Sequence, residues 1–166
     1  MKRHPALIPF SRDHHDGLVQ AVRLRRAAAD GDASARLTAA REFVEFFRNN
    51  ERVHLRDEEE ELFPLFLRHV QSQPALLREA RVQHVQLEGF TRTLEIGVAA
   101  GIVDREILDA AGELLGAHIR LEERQLFPLI EQLVPDDELL RLGLASKDVT
   151  CAVRRPPSRA KDFDVT

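Results

Sequence analysis

Apolar residues recur every three or four positions along most of the chain, and no run of four to eight residues alternates apolar with polar. The first spacing places apolar side chains on one face of a helix, whereas strict alternation is typical of strands. The pattern therefore predicts an all-α protein. Start and stop signals define four long helices, which run from Ser11 to about Asp30, from about Ser34 to before Gln73, from Pro74 to about Gly101, and from Asp104 to Pro135.

Short connections between these helices favour an antiparallel up-down four-helix bundle. Closely spaced leucines between Leu139 and Leu144 predict a short fifth helix that packs on the end of the bundle. The helical pattern fades after Ser146. We therefore expect one domain over residues 1–146 and an extended C-terminal tail over residues 147–166, whose composition suits contact with a partner.

An internal repeat is the most informative feature of the sequence. The segment HLRDEEEELFP, residues 54–64, and the segment HIRLEERQLFP, residues 118–128, share seven of eleven positions at a separation of 64 residues. Each copy follows a helix that carries a histidine at a comparable level, either His14 or His15 before the first copy and His84 before the second. The chain thus reads as two related helical hairpins.

Each repeat places a histidine and a glutamate four residues apart, namely His54 with Glu58 and His118 with Glu122. Residues at this spacing lie about one turn, roughly 6 Å, apart on one helix face. Imidazole nitrogen binds one metal ion, whereas a carboxylate has two oxygens and can bridge two ions. Buried groups of this kind cost several kcal/mol unless they are satisfied. We therefore expect a dinuclear metal site between the helices.

The pattern leaves the choice of some site residues open. On the first helix we favour His15 over His14, because Leu18 and Val22 follow His15 at the spacing of a buried face. Glu59 and Glu123 lie one position after the repeat glutamates and point about 100° away, so we expect them to be exposed or to support the ligands. If each helix were rotated by about half a turn, Glu59 and Glu123 would face the metal site in place of Glu58 and Glu122. Two further histidines, His4 and His69, have no repeat partner and are interpreted as surface residues.

Composition narrows the function classes. The net charge of −4 comes with scattered basic residues, which argues against nucleic-acid and membrane partners. A single cysteine, Cys151, excludes an internal disulfide and cysteine-rich metal sites. No apolar run approaches the roughly 20 residues of a membrane span, and the prolines near the start do not suit a signal peptide. We expect a cytoplasmic protein.

The paired HxxxE motifs, each closed by LFP, together with one histidine on each of the first and third helices, resemble the hemerythrin-like family of His-His-Glu cation-binding bundles. The resemblance covers roughly Pro9 to Leu133. It implies a four-helix bundle that holds two iron ions, with manganese or zinc as possible substitutes. Carried over to this chain, the metal ligands are His15 or His14, His54, His84 and His118, with Glu58 and Glu122 as bridges.

Two positions depart from the oxygen-carrying members of that family. Those members have a second histidine one turn after the helix-3 histidine, where this chain has Glu88. Their helix-4 carboxylate lies five residues after its histidine, at the position of Glu123 here. A centre with more carboxylate favours higher oxidation states, which argues against reversible O2 carriage. We expect Glu88 to bind an iron or to accept a hydrogen bond from a water on it.

The resemblance implies a protein that binds or senses O2, NO or iron, or that acts in the stress response of iron centres, with binding favoured over enzymatic turnover. One alternative is a ferritin-like diiron oxidase, whose signature is two ExxH motifs. Only Glu51 with His54 fits that signature, and the chain has neither Tyr nor Trp for radical chemistry. The other alternative is a metal-free helical scaffold, which metal analysis distinguishes.

Overall fold

The computed structural model describes residues 3–142, of which 88% are helical and none lies in a strand. The all-α prediction is confirmed. The predicted tail over residues 147–166 and the domain boundary at residue 146 lie outside the described residues. Within the described part, no helix combines the length and the apolar character that crossing a membrane requires.

Five helices follow one another along the described chain. Helix α1 is Ile8–Asp30, preceded by a 3₁₀ turn at Pro5–Leu7, and helix α3 is Ala75–Ala100. Two helices are built from consecutive segments without a break. Helix α2 comprises Ala33–Phe46, Phe47–Glu51, Arg52–Asp57, Glu58–Leu62 and Phe63–Leu67; helix α4 comprises Arg105–Leu121, Glu122–Leu126 and Phe127–Leu133; and the short α5 covers residues 136–142.

Capping side chains, glycine and proline explain where the helices begin and end. The Asp32 and Asp104 carboxylates accept hydrogen bonds from backbone N–H groups at the starts of α2 and α4. Gly101, with φ of 72°, ends α3 in the left-handed conformation that favours glycine. The expected start at Ser11 is wrong, because α1 already begins at Ile8, where Pro9 fits the first turn. Helix α2 also ends earlier than expected, at Leu67.

Helices α2 and α4 contain π-helical turns at corresponding places of the repeat, Glu58–Leu62 and Glu122–Leu126. Each turn lies directly before the Phe-Pro pair of the motif. Proline has no N–H and its ring clashes with the carbonyl four residues earlier, so it disrupts a regular α-helix. The wider π turn accommodates Pro64 and Pro128 without ending the helix. The LFP sequence of each repeat therefore marks the end of a π turn.

Helix α1 contacts α2 and α4, and α3 contacts the same two helices. Helices α1 and α4 run in opposite directions. His14, near the start of α1, pairs with Glu123, and Arg25, further along α1, pairs with the earlier residue Asp109 of α4. The two helices approach closely at Gly112, where a Cβ atom would lie 2.8 Å from the carbonyl oxygen of Ala21. The close approach explains why small residues occupy this contact.

The buried apolar side chains form two clusters. One contains residues near the start of α1 and the ends of α2 and α4, such as Phe10, Phe66 and Ile130. The other contains residues from the opposite parts of the same helices, such as Leu24 and Phe43. The buried histidines of α1 and α3 fall in sequence between residues of the two clusters. A polar layer therefore lies between two apolar regions.

Burial defines the inner faces of α3 and α4. On α4, Leu115 and Leu126 are fully buried, while Leu114 and Leu129 are only partly buried. The π turn at Glu122–Leu126 adds a residue to the helical turn and shifts the inner face of the residues after it. On α3, the inner face includes Thr91, whose hydroxyl donates to the Leu87 carbonyl.

Candidate metal centre

Six buried side chains from α1, α2, α3 and α4 converge in the polar layer, and we refer to them as the donor cluster. Each is at most 5% exposed. They form two overlapping groups, in each of which one candidate ligand atom per residue lies within 4.8 Å of all the others. The first half comprises His14, His54, Glu58 and Glu122, and the second half comprises His84, His118 and the same two glutamates.

The first half has the dimensions of a metal site. The Nε2 atoms of His14 and His54 lie 2.9 Å apart. Two ligands at right angles, each about 2.1 Å from one ion, lie about 3 Å apart. Oε1 of Glu58 is 3.3 Å from Nε2 of His54, and Oε2 of Glu122 is 3.0 Å from Nε2 of His14. One cation between these four atoms would contact all of them.

The second half repeats this arrangement through the other imidazoles. Nε2 of His84 lies 3.4 Å from Oε2 of Glu58, and Nε2 of His118 lies 3.5 Å from Oε2 of Glu122. The two oxygens of Glu58 therefore face different halves, with Oε1 towards His54 and Oε2 towards His84. This is the orientation that a bridging carboxylate requires.

The donor cluster leaves polar atoms unsatisfied. Both carboxylate oxygens of Glu58 and Glu122, and the Nε2 atoms of His84 and His118, have no hydrogen-bond partner among the described residues. Buried polar atoms are almost always paired, and an unpaired buried charge is costly. Divalent cations would satisfy all of these atoms at once. The residues present therefore fit a pair of metal ions.

Two carboxylates outside the cluster, Glu59 and Glu123, hold the rings in place, and we call them the outer carboxylates. Oε1 of Glu123 lies 2.8 Å from Nδ1 of His14, and Oε1 of Glu59 lies 2.9 Å from Nδ1 of His84. Because a carboxylate only accepts, each ring donates from Nδ1, and a neutral ring then directs the Nε2 lone pair into the cluster. Both residues are partly buried and support the candidate ligands.

Each outer carboxylate belongs to a layered contact that sequence reasoning missed. Arg81 forms an ion pair with Glu59 at 2.9 Å and lies over the ring of Phe63, which stacks on His84. In the other half, Arg3 pairs with Glu123 at 2.6 Å and lies over Phe127, which stacks on His14. The phenylalanines are repeat positions, but the arginines come from unrelated places in the chain, so no sequence repeat marks them.

The two remaining imidazoles have different partners. Nδ1 of His54 lies 3.6 Å from a carboxylate oxygen of Asp13, whereas Nδ1 of His118 faces the amide oxygen of Gln83 at 3.2 Å. A carboxylate stabilises a protonated imidazole, and a neutral amide does so much less. The two halves are therefore electrostatically unequal.

The metal-free cluster balances its own charges. Burial lowers the pKa of His14, but the nearby Glu122 carboxylate and the hydrogen bond to Glu123 outweigh it and raise the pKa to about 9. Burial likewise opposes the Glu122 and Glu58 contacts of His84, whose pKa rises to about 10. The facing imidazoles hold the pKa of Glu58 well below its ordinary value despite burial. Protonated imidazoles thus compensate the buried carboxylates where metal ions would do so.

The pKa values of His54 and His118 depend on burial and on the groups beside each ring. Burial would lower the pKa of His54, but the nearby Glu58 and Asp13 raise it well above the ordinary value. Burial dominates at His118, which lacks an acidic Nδ1 partner, and lowers its pKa to about 4. His118 is therefore neutral at physiological pH and ready to bind a cation.

Two site expectations need correction. His15 is exposed, and the histidine of α1 in the cluster is His14, which is 2% exposed. Glu88 is also exposed and lines a surface cleft beside His84 instead of entering the cluster. On α3 the inner face after His84 continues through Leu87 and Thr91, so a residue four positions after His84 turns outward.

Residues 7–130 match the hemerythrin HHE cation-binding domain family. No curated protein and no solved structure matches the chain. The matched region spans the entire donor cluster and both outer carboxylates. The family match and the buried His and Glu groups agree, and the chain belongs to the hemerythrin HHE cation-binding domain family.

Proposed function

We propose that the chain is a non-heme diiron protein, in which one iron is held by His14 and His54 and the other by His84 and His118. Glu58 and Glu122, which belong to both halves of the cluster, would hold both ions. The observation that carries the proposal is the set of four unpaired carboxylate oxygens, buried between four imidazoles. Manganese or zinc would also find suitable ligands in this set.

The proposal includes the fold. We infer an antiparallel up-down four-helix bundle made of two related hairpins, α1 with α2 and α3 with α4. Helices α1 and α4 run in opposite directions, which supports this arrangement. The α2–α3 contacts also support it, since Glu59 pairs with His84 and Arg48 pairs with Glu95. The repeated π turns and the repeated Arg-Phe-His layers support the relation between the hairpins.

The ligand count supports binding of a small molecule. Each iron would find two imidazole nitrogens and a carboxylate oxygen of both Glu58 and Glu122, which makes four donors from the cluster. Iron commonly takes up to six ligands, so positions stay open for an exogenous ligand. O2 and NO are small enough to reach such a position inside a packed bundle. The bound irons would supply the redox chemistry, while this chain's residues hold them and exclude bulk water.

The alternatives are less well supported. A ferritin-like oxidase would carry a second ExxH glutamate in α4, but Leu115 occupies the position that corresponds to Glu51. A metal-free scaffold would keep buried carboxylates that only protonated imidazoles compensate, and apolar residues in the same layer would be less costly. Because Glu88 is exposed, it does not add a carboxylate to the centre, and the small number of imidazoles is the feature that disfavours reversible O2 carriage. A cytoplasmic location and the lack of a nucleic-acid partner stay predictions.

Metal analysis tests the proposal. The protein is produced without a chelating tag, loaded anaerobically with Fe²⁺, desalted, and analysed for metal content. We expect two irons per chain, and an optical spectrum of the reduced protein that changes on addition of NO or O2. A content near zero refutes the diiron centre, and two irons with no spectral change refute the binding of diatomic ligands.

A further inference from the structure

A glycine in the middle of α3 has no evident role within the chain. At the other glycines inside described helices, which are Gly17, Gly97, Gly112 and Gly116, an added Cβ atom would lie 2.7 to 3.2 Å from its nearest neighbour. At Gly89 an added Cβ atom would meet nothing within 4 Å, and φ is not positive. Glycine destabilises a helix interior relative to alanine, and its use there is to let another backbone approach. No described part of the chain approaches Gly89.

Exposed apolar side chains flank Gly89 on the same face of α3. Val82 and Ile96 lie seven residues before and after the glycine, about two helical turns away, and are 55% and 66% exposed. Val85, four residues before the glycine, is 70% exposed. Residues at these spacings share one side of a helix, as they do in helices that pair with each other. We refer to Val82, Val85, Gly89 and Ile96 as the α3 stripe.

The α3 stripe is self-complementary about Gly89. When two copies of α3 pack antiparallel with their glycines at the crossing point, Val82 of each copy faces the partner's Ile96, because both are equally distant from Gly89. The surface used by a twofold-symmetric pair must fit itself in this way. An unrelated partner protein would not require this symmetry, so the pattern favours a second copy of the chain.

Charged residues beside the stripe fit the same arrangement. Glu88 and Arg92 are exposed, and neither forms an ion pair within the described part of the chain. Around the helix axis they are rotated from Gly89 in the same sense, by about 100° and about 60°. An antiparallel twofold pair brings the same sides of the two helices together. Glu88 of one copy therefore lies beside the partner's Arg92, and the symmetry makes this contact twice.

We propose that two copies of the chain associate through their α3 stripes as an antiparallel, twofold-symmetric dimer. Gly89 lets the two helices approach closely, the apolar side chains leave water, and Glu88 binds the partner's Arg92. Val85 and Glu88 also line the surface cleft beside His84, so the second copy covers the rim of that cleft. The dimer requires no metal, and its failure would leave the proposed diiron function untouched.

Sedimentation velocity at increasing micromolar concentrations measures the association. We expect the wild type to form a dimer as the concentration rises. Gly89→Gln should weaken dimerisation about tenfold or more, because its side chain keeps the helices apart. The same variant should unfold at a higher temperature than the wild type under monomeric conditions, since glutamine favours a helix over glycine and has open space there.

A matched pair of substitutions tests the apolar part of the stripe. Val82→Glu should weaken dimerisation about tenfold or more, because it places a charge in the contact. Val22→Glu is the control, since this valine of α1 is 50% exposed and lies outside the stripe. We expect it to dimerise like the wild type. Circular dichroism of each variant verifies that the helices are retained.

Charge reversal tests the orientation of the two helices. Glu88→Arg and Arg92→Glu should each weaken dimerisation severalfold, since each places like charges together across the interface. The double variant should restore the wild-type affinity, because it exchanges the two partners of the ion pair. A role of either residue within its own chain only would not produce this rescue.

Three outcomes overturn the proposal. The first is a wild type that stays monomeric at every concentration. The second is a dimer that both Gly89→Gln and Val82→Glu leave intact, since its interface would then lie elsewhere. The third is a dimer that the double charge reversal does not restore, which contradicts the antiparallel pairing.

Discussion

Loading the centre with metal at neutral pH should release protons. In the metal-free protein the pKa values of His14 and His84 are raised to about 9 and about 10, and that of His54 is also well above the ordinary value. His118, with a pKa of about 4, is already neutral. A metal ligand must be a neutral imidazole, so every protonated histidine of the cluster must lose a proton. The Nε2 atoms of His14 and His54 lie 2.9 Å apart, so only one of them carries a proton between the two rings. With His84, we expect ~2 protons per fully loaded chain.

The sign of the pH dependence follows from the same shifts. A histidine with a raised pKa stabilises the metal-free fold fully below its unfolded value of 6.5, and that stabilisation is lost as pH rises through the folded value. For His14, a rise from 6.5 to about 9 corresponds to ~3 kcal/mol. The metal-free protein should therefore become less stable from about pH 6.5 towards pH 10. Metal affinity should increase over the same interval.

Calorimetric titration with Zn²⁺ at pH 7.5, in buffers of different ionisation enthalpy, measures the number of protons directly. Glu123→Gln removes the carboxylate that stabilises protonated His14, so this variant should release fewer protons than the wild type. Saturation of both sites with fewer than one proton released would refute the reasoning, because the imidazoles would then be neutral before metal binds.

Three further predictions concern the ligands. The double substitution His54→Ala with His118→Ala should abolish metal binding in both halves while circular dichroism retains the helical signal, since the apolar clusters carry the packing; a collapse of helicity would contradict this. His14→Ala should remove metal from the first half and His15→Ala should not; equal metal contents by elemental analysis would contradict the assignment of His14, and loss from His15→Ala alone would reverse it. Glu123→Gln should weaken metal binding 10–100-fold in competition with a chelator, and unchanged affinity would show that the outer carboxylate does not support His14.

The sequence predicted the helices and the inner register of the repeat glutamates, because long apolar stripes and paired motifs are strong signals. On α1 it favoured His15, and of the two open choices the buried one is His14. Residues Leu18 and Val22 suggested the inner face of α1, but the buried positions are the small Gly17 and Ala21. Small residues lie inside because α4 approaches closely there, and a pattern read from large apolar side chains does not detect them.

Other parts of the site depend on tertiary contacts. The arginines over the phenylalanine rings come from unrelated positions, Arg3 before α1 and Arg81 within α3, so spacing does not reveal them. The π turn that ends at Glu51 has no proline to mark it, unlike the two turns before Pro64 and Pro128. Each of these features arises from packing between helices, which a single sequence does not display.

The location of the metal ions tests the central claim most directly. Crystals of the iron-loaded protein, measured at the iron absorption edge, give the metal positions without reference to any assumed ligand. We predict two anomalous peaks between Glu58 and Glu122, about 3.5–4 Å apart, one beside Nε2 of His14 and His54 and the other beside Nε2 of His84 and His118. Peaks only at surface carboxylates, or no peak within the donor cluster, would contradict the account.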